Sequence, residues 1–172
     1  MRNWLFVPIA IVFIFIGCST LQSQPRLVVF ISVDQGMPGL LEKYDHLFTG
    51  GYRWLKDNGI QFSEAYHEHG YTVTGPGHFV LSTGQYPGTG GVIGNYWFDR
   101  ETNQGWYCVK DTTSTVLKDG SMGLSYQNIE ADALGDWMKE ANLESKVVSV
   151  AGKDRASILL GGKKPDAALW YD

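Results

Sequence analysis

Leu27-Val28-Val29-Phe30-Ile31-Ser32-Val33, followed by Asp34-Gln35-Gly36, is the stretch from which the fold class is read. It carries no charge before Asp34 and is rich in β-branched side chains. Such a run suits a strand buried on both faces, as in a parallel sheet. A charged residue and a turn signal then close it. Val147 to Ala151 and Ala167 to Tyr171 read as further strands, and Ile60 to Tyr66 alternates loosely enough to be another. Two helical patterns lie between them. Phe48 to Asn58 places Tyr52 and Leu55 among polar residues, with Gly59 as its stop. Ile129, Ala133, Leu134, Trp137, Met138 and Ala141 trace one apolar face, with Asn128 as the N-cap. Strands alternating with helices predict an α/β fold with a mostly parallel sheet.

Working outward, 172 residues argue for one domain at most. A hydrophobic share of 44% with 13% aromatic residues excludes a disordered chain. The net charge of −4 leaves no basic footprint, so no nucleic-acid partner is expected. Arg2 followed by the apolar run Trp4 to Ile16 reads as a signal peptide over residues 1–17, since a membrane span needs about 20 apolar residues. Phe15-Ile16-Gly17-Cys18 is similar to a bacterial lipobox, although Phe15 is bulkier than the usual leucine. Cys18 would then carry lipid, and residues 18–26 would form a polar tether. A plain signal peptide or an uncleaved anchor is the alternative, and all three export the chain. Cys108 is the only other cysteine, so there is neither a disulfide framework nor a cysteine-type zinc site. The chain ends at Asp172 directly after a strand-like run, which is expected of a truncated domain spanning 27–172.

Four places carry chemistry. Asp34 sits at the carboxyl end of a strand-like run, where working residues of open α/β sheets collect, and could hold a divalent cation. A turn-capping aspartate is the bland reading. In Thr72-Val73-Thr74-Gly75-Pro76-Gly77-His78, Pro76 suits a first helical turn and Gly84 a helix stop. Thr74 thus lies at a helix N-terminus, where unpaired N–H groups favour negative charge, though a simple cap would look the same. Asn95, ending a glycine-rich segment, could donate its amide to an anionic oxygen. Lys153 and Arg155 follow a strand and could clamp a phosphoryl group, or merely flank Asp154 in a solvated loop. The segment from Gly84 to Asp99 has no nucleotide-binding glycine pattern.

In this order, Ser32-Val33-Asp34-Gln35, Thr72 to His78, Ser82-Thr83-Gly84, Gly94-Asn95-Tyr96-Trp97-Phe98-Asp99 and Lys153-Asp154-Arg155-Ala156-Ser157-Ile158 resemble the alkaline phosphatase superfamily. The likeness is to its single-chain, threonine-nucleophile alkaline phosphatases, relatives of type I phosphodiesterase/nucleotide pyrophosphatases, and runs from about Leu27 to Asp172. The resemblance implies the N-terminal portion of a three-layer α/β sandwich. It implies that Asp34 ligates one of two Zn2+ ions and that Thr74, rather than Thr72, is the metal-bound nucleophile. Asn95, Lys153 and Arg155 would hold the phosphoryl oxygens. The family's downstream Asp-x-x-x-His and Asp-His ligands have no counterpart in this chain.

The expected function is metal-dependent hydrolysis of small phosphate monoesters through a phospho-threonine. The product would be lipid-anchored and periplasmic or at the cell surface. A phosphodiesterase or nucleotide pyrophosphatase is the runner-up, and an inactive lipoprotein is the reading if the natural chain ends at Asp172. Asp45-His46 copies the missing Asp-His pair only superficially. His67, His69 and His78 read as structural, the last as orienting the start of the nucleophile helix. Trp97, Trp106 and Tyr107 read as aromatic core rather than pocket.

Overall fold

The computed structural model describes residues 25–171. The expected signal peptide over residues 1–17, Cys18 and most of the expected tether lie outside the described residues. The chain divides into one unit up to Ile31 and a second from Ser32 onward. In the first, residues 25–31 form neither helix nor strand.

The strand expected over Leu27–Val33 is therefore not formed, and Leu27 is 78% and Val33 71% exposed. Apolar composition gives a segment a reason to be buried, but a strand exists only when its N–H and C=O groups have a paired neighbour. No described strand pairs with it. Ile60–Tyr66 forms no strand either.

The second unit opens with α1 (Pro38–Lys43), a 3-10 turn at Asp45–Leu47 and α2 (Gly51–Asn58). Arg53 and Lys56 of α2 both reach the Asp45 carboxylate, at 2.9 and 2.5 Å, which ties Asp45 into surface ion pairs. Next come α3 (Thr74–Thr83) and α4 (Pro87–Gly90). α3 ends as its sequence predicts: Gly84 takes the left-handed conformation (φ 65°) and returns its N–H to the Val80 carbonyl. Two antiparallel hairpins follow, β1 (Tyr96–Asp99) with β2 (Gln104–Tyr107), and β3 (Lys110–Thr115) with β4 (Met122–Leu124).

The predicted helix at 129–141 begins later than expected, as α5 (Leu134–Ala141). Asn128 does not cap it. Its side chain instead accepts from Trp106 Nε1 (3.1 Å) and donates to the Cys108 carbonyl (2.8 Å). The helix start is held by the Asp136 carboxylate, which accepts from Ala133 N at 2.9 Å and from Lys163 N and Lys164 N at 3.0 and 2.8 Å.

β5 (Val148–Val150), α6 (Asp154–Gly161) and β6 (Ala167–Leu169) then form a strand–helix–strand unit. β5 and β6 pair in parallel, Val148 with Ala167 and Val150 with Leu169. This pair is the parallel sheet of the α/β class among the described residues; the other two ladders are antiparallel. α3 packs on α6 over a core of Phe79, Val92, Val109, Ile129, Ile158 and Leu159. Ser82 Oγ donates to the Leu159 carbonyl (2.7 Å), stitching the two helices together inside that core. Both helices that carry site residues thus stand on one packed interface.

Candidate active site

Asp34 occupies a tight turn closed by the bond from Gly36 N to the Val33 carbonyl (2.9 Å). Gln35 sits in the left-handed region at φ 58°, a conformation that costs a non-glycine residue energy and that concentrates at functional sites. The turn presents the Asp34 carboxylate to the start of α3. There Oδ2 accepts from Thr74 Oγ1 at 3.2 Å and from Lys153 Nζ at 2.9 Å. The Lys153 hydrogen bond, then its charge and the Thr74 hydroxyl, hold the Asp34 carboxyl below its ordinary range against a partial desolvation.

Thr74 is buried as the first residue of α3. His78, one turn on, holds this start in place: its Nδ1 lies 2.8 Å from the Thr74 carbonyl. A carbonyl only accepts, so Nδ1 carries the proton. His78, expected to orient the start of this helix, contacts the backbone of its first residue. Asn95 approaches from the segment before β1, and its Oδ1 accepts from Gly75 N at 2.6 Å. With the oxygen so engaged, the Asn95 amide N–H groups have no partner among the described residues. Gly75 is needed for this approach, since a Cβ there would lie 3.0 Å from Asn95 Oδ1 and 3.1 Å from the Gly94 carbonyl. A cavity of about 350 Å3 opens in front, lined by Asp34, His67, Thr72, Thr74 and His78.

Lys153 and Arg155 lie at the start of α6, directly after β5. Arg155 does not touch Asp34 or Thr74. Its Nη1 donates to Tyr107 Oη (3.1 Å), and its Nε is buried with no partner among the described residues. Tyr107 in turn donates to Asp154 Oδ1 (2.7 Å). Neither role was legible beforehand: Tyr107 reads from the sequence as aromatic core rather than pocket, and Asp154 as a charge in a solvated loop. Tyr107 does pack against the core, but its hydroxyl end reaches the site. Burial and the Asp154 carboxylate push its phenol well above the ordinary tyrosine value. Trp97 packs on the core, as expected, and Trp106 lies under the Lys110 ammonium.

His67 and His69 are not on a strand. They meet edge to face with centroids 5.3 Å apart, and both His69 nitrogens are buried without a hydrogen bond among the described residues. Among the described residues His69 therefore acts through ring packing against His67 and not through hydrogen bonds.

As a metal centre the arrangement is partial. Asp34 Oδ2 and Thr74 Oγ1 are two hard oxygen donors at one point, the donor type a divalent cation takes. No cluster of three or more His, Cys, Asp or Glu side chains able to hold a metal occurs among the described residues. A tetrahedral zinc needs four ligands. Asp34 and Thr74 thus fit one edge of such a site.

The model of the family described as type I phosphodiesterase / nucleotide pyrophosphatase matches residues 28–171. The chain belongs to this family. As a phosphodiesterase/nucleotide pyrophosphatase family member within the alkaline phosphatase superfamily, it is 38% identical over 151 residues to the alkaline phosphatase PhoK of a Sphingomonas species. It is 40% identical over 152 residues to the alkaline phosphatase PhoD of Zymomonas mobilis. These matches cover 86% and 87% of this chain but only 27% and 26% of the relatives, so the chain spans about a quarter of their length. The crystal structure of wild-type alkaline phosphatase PafA superposes with a TM-score of 0.73 at 34% identity, over 77% of this chain and 26% of PafA. A PafA variant with a threonine, an asparagine, a lysine and an arginine replaced gives 0.75 at 31% identity, over 81% of this chain and 28% of that one. The α/β fold class is shared with these neighbours.

Proposed function

We propose that this family member is a metal-dependent phosphate monoesterase that works through a phospho-threonine on Thr74. The observation that carries the reading is the meeting of Thr74 Oγ1 with the Asp34 carboxylate at the start of α3, with Lys153 on the same oxygen. The threonine, asparagine, lysine and arginine replaced in the PafA variant are the same residue types, in the same chain order, as Thr74, Asn95, Lys153 and Arg155.

A divalent cation, zinc in our reading, would be held by Asp34 and Thr74 together with ligands outside the described residues, and would make the threonine oxygen nucleophilic near neutral pH. The chain's own groups do the rest. The Thr74 hydroxyl proton, which points at Asp34 Oδ2, passes to solvent water, which returns a proton to the leaving alkoxide, and Oγ1 is freed to attack phosphorus. A bond forms from Oγ1 to phosphorus, the ester P–O bond breaks and the alcohol leaves. Asn95 through its amide N–H groups, Lys153 as a point charge and Arg155 through its planar fork bind the non-bridging oxygens. Water then attacks the phospho-threonine, releasing inorganic phosphate and restoring the hydroxyl. Two cations beside one phosphoryl group suit a terminal, doubly charged group, which favours monoesters.

The family description supports a second reading, hydrolysis of phosphodiesters or nucleotide pyrophosphates on the same residues. The full gene product carrying Thr74→Ala should form no acid-stable phospho-enzyme when quenched during turnover of a labelled monoester. An active Thr74→Ala protein would sink the assignment. Turnover of aryl mono- and diesters side by side separates the two readings. A lipid on Cys18 and display at the bacterial periphery complete the proposal, and metabolic labelling with palmitate tests them by comparison with Cys18→Ala.

A further inference from the structure

The Arg155 side chain is held in an unusual way. A guanidinium has five N–H donors in a fixed plane. Nη1 is engaged by Tyr107, at 3.1 Å, while Nε is buried with no acceptor among the described residues. Nε and Nη2 lie along the same edge of the plane. That edge is left as a two-pronged donor waiting for a ligand with two oxygens, and a buried donor without a partner calls for such an explanation.

What aims the edge is a one-way chain of hydrogen bonds. Arginine can only donate and an ionised carboxylate can only accept, so Tyr107 Oη must accept from Nη1 and donate to Asp154 Oδ1. Asp154 Oδ1 is itself fixed by Arg155 N at 2.6 Å, which closes the loop. The Tyr107 ring has no freedom to drift, because it stacks on Tyr96 with centroids 4.6 Å apart and packs against the core. Without the phenol oxygen, the guanidinium could turn onto Asp154, which already stands 3.8 Å from Nη1. A cation in the first turn of a helix is also disfavoured by the helix dipole, so Arg155 needs an external hold.

We propose that Tyr107, braced by Asp154, is a positioning residue that presents the Nε–Nη2 edge of Arg155 to a terminal phosphoryl group, and thereby sets the preference for monoesters. This rests on the monoesterase reading above. The phenol's resistance to ionisation keeps the chain of bonds intact in alkaline solution, where an ordinary tyrosine would begin to lose its proton.

The test is a double-mutant cycle on the full gene product, with Tyr107→Phe, Arg155→Ala and the pair together. Two readouts are taken: inorganic phosphate affinity by titration, and the ratio of monoester to diester kcat/KM. Tyr107→Phe should weaken phosphate binding and lower the ratio, each about tenfold. In the Arg155→Ala background it should change neither. Equal losses in both backgrounds would overturn the positioning role and leave the monoesterase reading standing. If Arg155→Ala itself leaves the ratio unmoved, the monoesterase reading fails, and this inference with it. Should Tyr107→Phe prove unfolded by circular dichroism, Asp154→Ala takes its place in the cycle. It removes the brace without emptying the core and should show the same non-additivity, and additive losses would again refute the proposal.

Discussion

Replacing Gly75 with alanine sets two effects of similar size against each other at the point where Asn95 meets the start of α3. Alanine is the better helix former by about 1 kcal/mol in a helix interior, and by less in a first turn. Against this, the new Cβ would stand 3.0 Å from Asn95 Oδ1, 3.1 Å from the Gly94 carbonyl and 3.3 Å from Cys108 Sγ. The Gly94 carbonyl is backbone and Cys108 is buried in the core, so the Asn95 side chain must yield. Yielding breaks the 2.6 Å bond from Gly75 N. A buried donor left without its acceptor costs about 1–3 kcal/mol, and crowding of a packed site costs about 1–3 kcal/mol more when it cannot relax. The expected balance is a loss of about 1–3 kcal/mol in urea unfolding, despite the helix propensity. Because the Asn95 amide shifts with its oxygen, phosphate affinity should fall about tenfold under conditions where the variant is fully folded. In an Asn95→Ala background only the contacts with the Gly94 carbonyl and Cys108 Sγ remain, and Gly75→Ala should cost measurably less than in the wild type. A Gly75→Ala protein as stable as wild type, with unchanged phosphate affinity, would refute the reasoning.

Three further outcomes are expected. Asp136→Asn places an amide where three backbone donors converge on a buried carboxylate, and should cost about 3 kcal/mol in urea unfolding; a loss under 0.5 kcal/mol, roughly, would show that another group holds the start of α5. Cys108 is buried and its thiol is pushed up to about 12, chiefly by desolvation, so at about pH 8 it stays protonated. Peptide mapping should find it alkylated by iodoacetamide only after denaturant is added, and rapid labelling of the native protein would contradict the packing. The Tyr107 phenol is raised, so the native state keeps a proton that the unfolded chain loses near pH 10. Its contribution to stability is full below the ordinary tyrosine value and is lost as the pH rises toward the native one. The absorbance difference between wild type and Tyr107→Phe should show no phenolate step through about pH 10, whereas a step there would mean that the hydroxyl faces water.

Much of the site could be read before any coordinates. Thr74 at a helix start, Gly84 at its end and the cations after a strand all follow from local rules, because caps, helix stops and strand ends depend on residues a few positions apart. The strand at Val148–Val150 and the helix over Gly51–Asn58 were legible for the same reason. Both hairpins went unread. Lys110–Thr115 is a polar, threonine-rich run with no alternation, and its pairing with Met122–Leu124 shows only in three dimensions. The reverse error occurred at Leu27–Val33, where an apolar run suggested a strand that finds no partner among the described residues.

By itself the sequence determined the α/β class, the family resemblance and the five kinds of candidate site side chain, Asp, Thr, Asn, Lys and Arg. Helix periodicity, glycine stops and motif order are properties of neighbouring residues and survive without a fold. Only the tertiary structure decided which of those side chains meet. Asp34 and Lys153 are 119 positions apart yet share a hydrogen bond, and Tyr107 reaches across 48 positions to Arg155. Such contacts are set by how α3 packs on α6 and by where the β1–β2 hairpin falls. A hydrogen bond depends on the spacing of atoms in space, and chain distance carries no information about it once the core has formed.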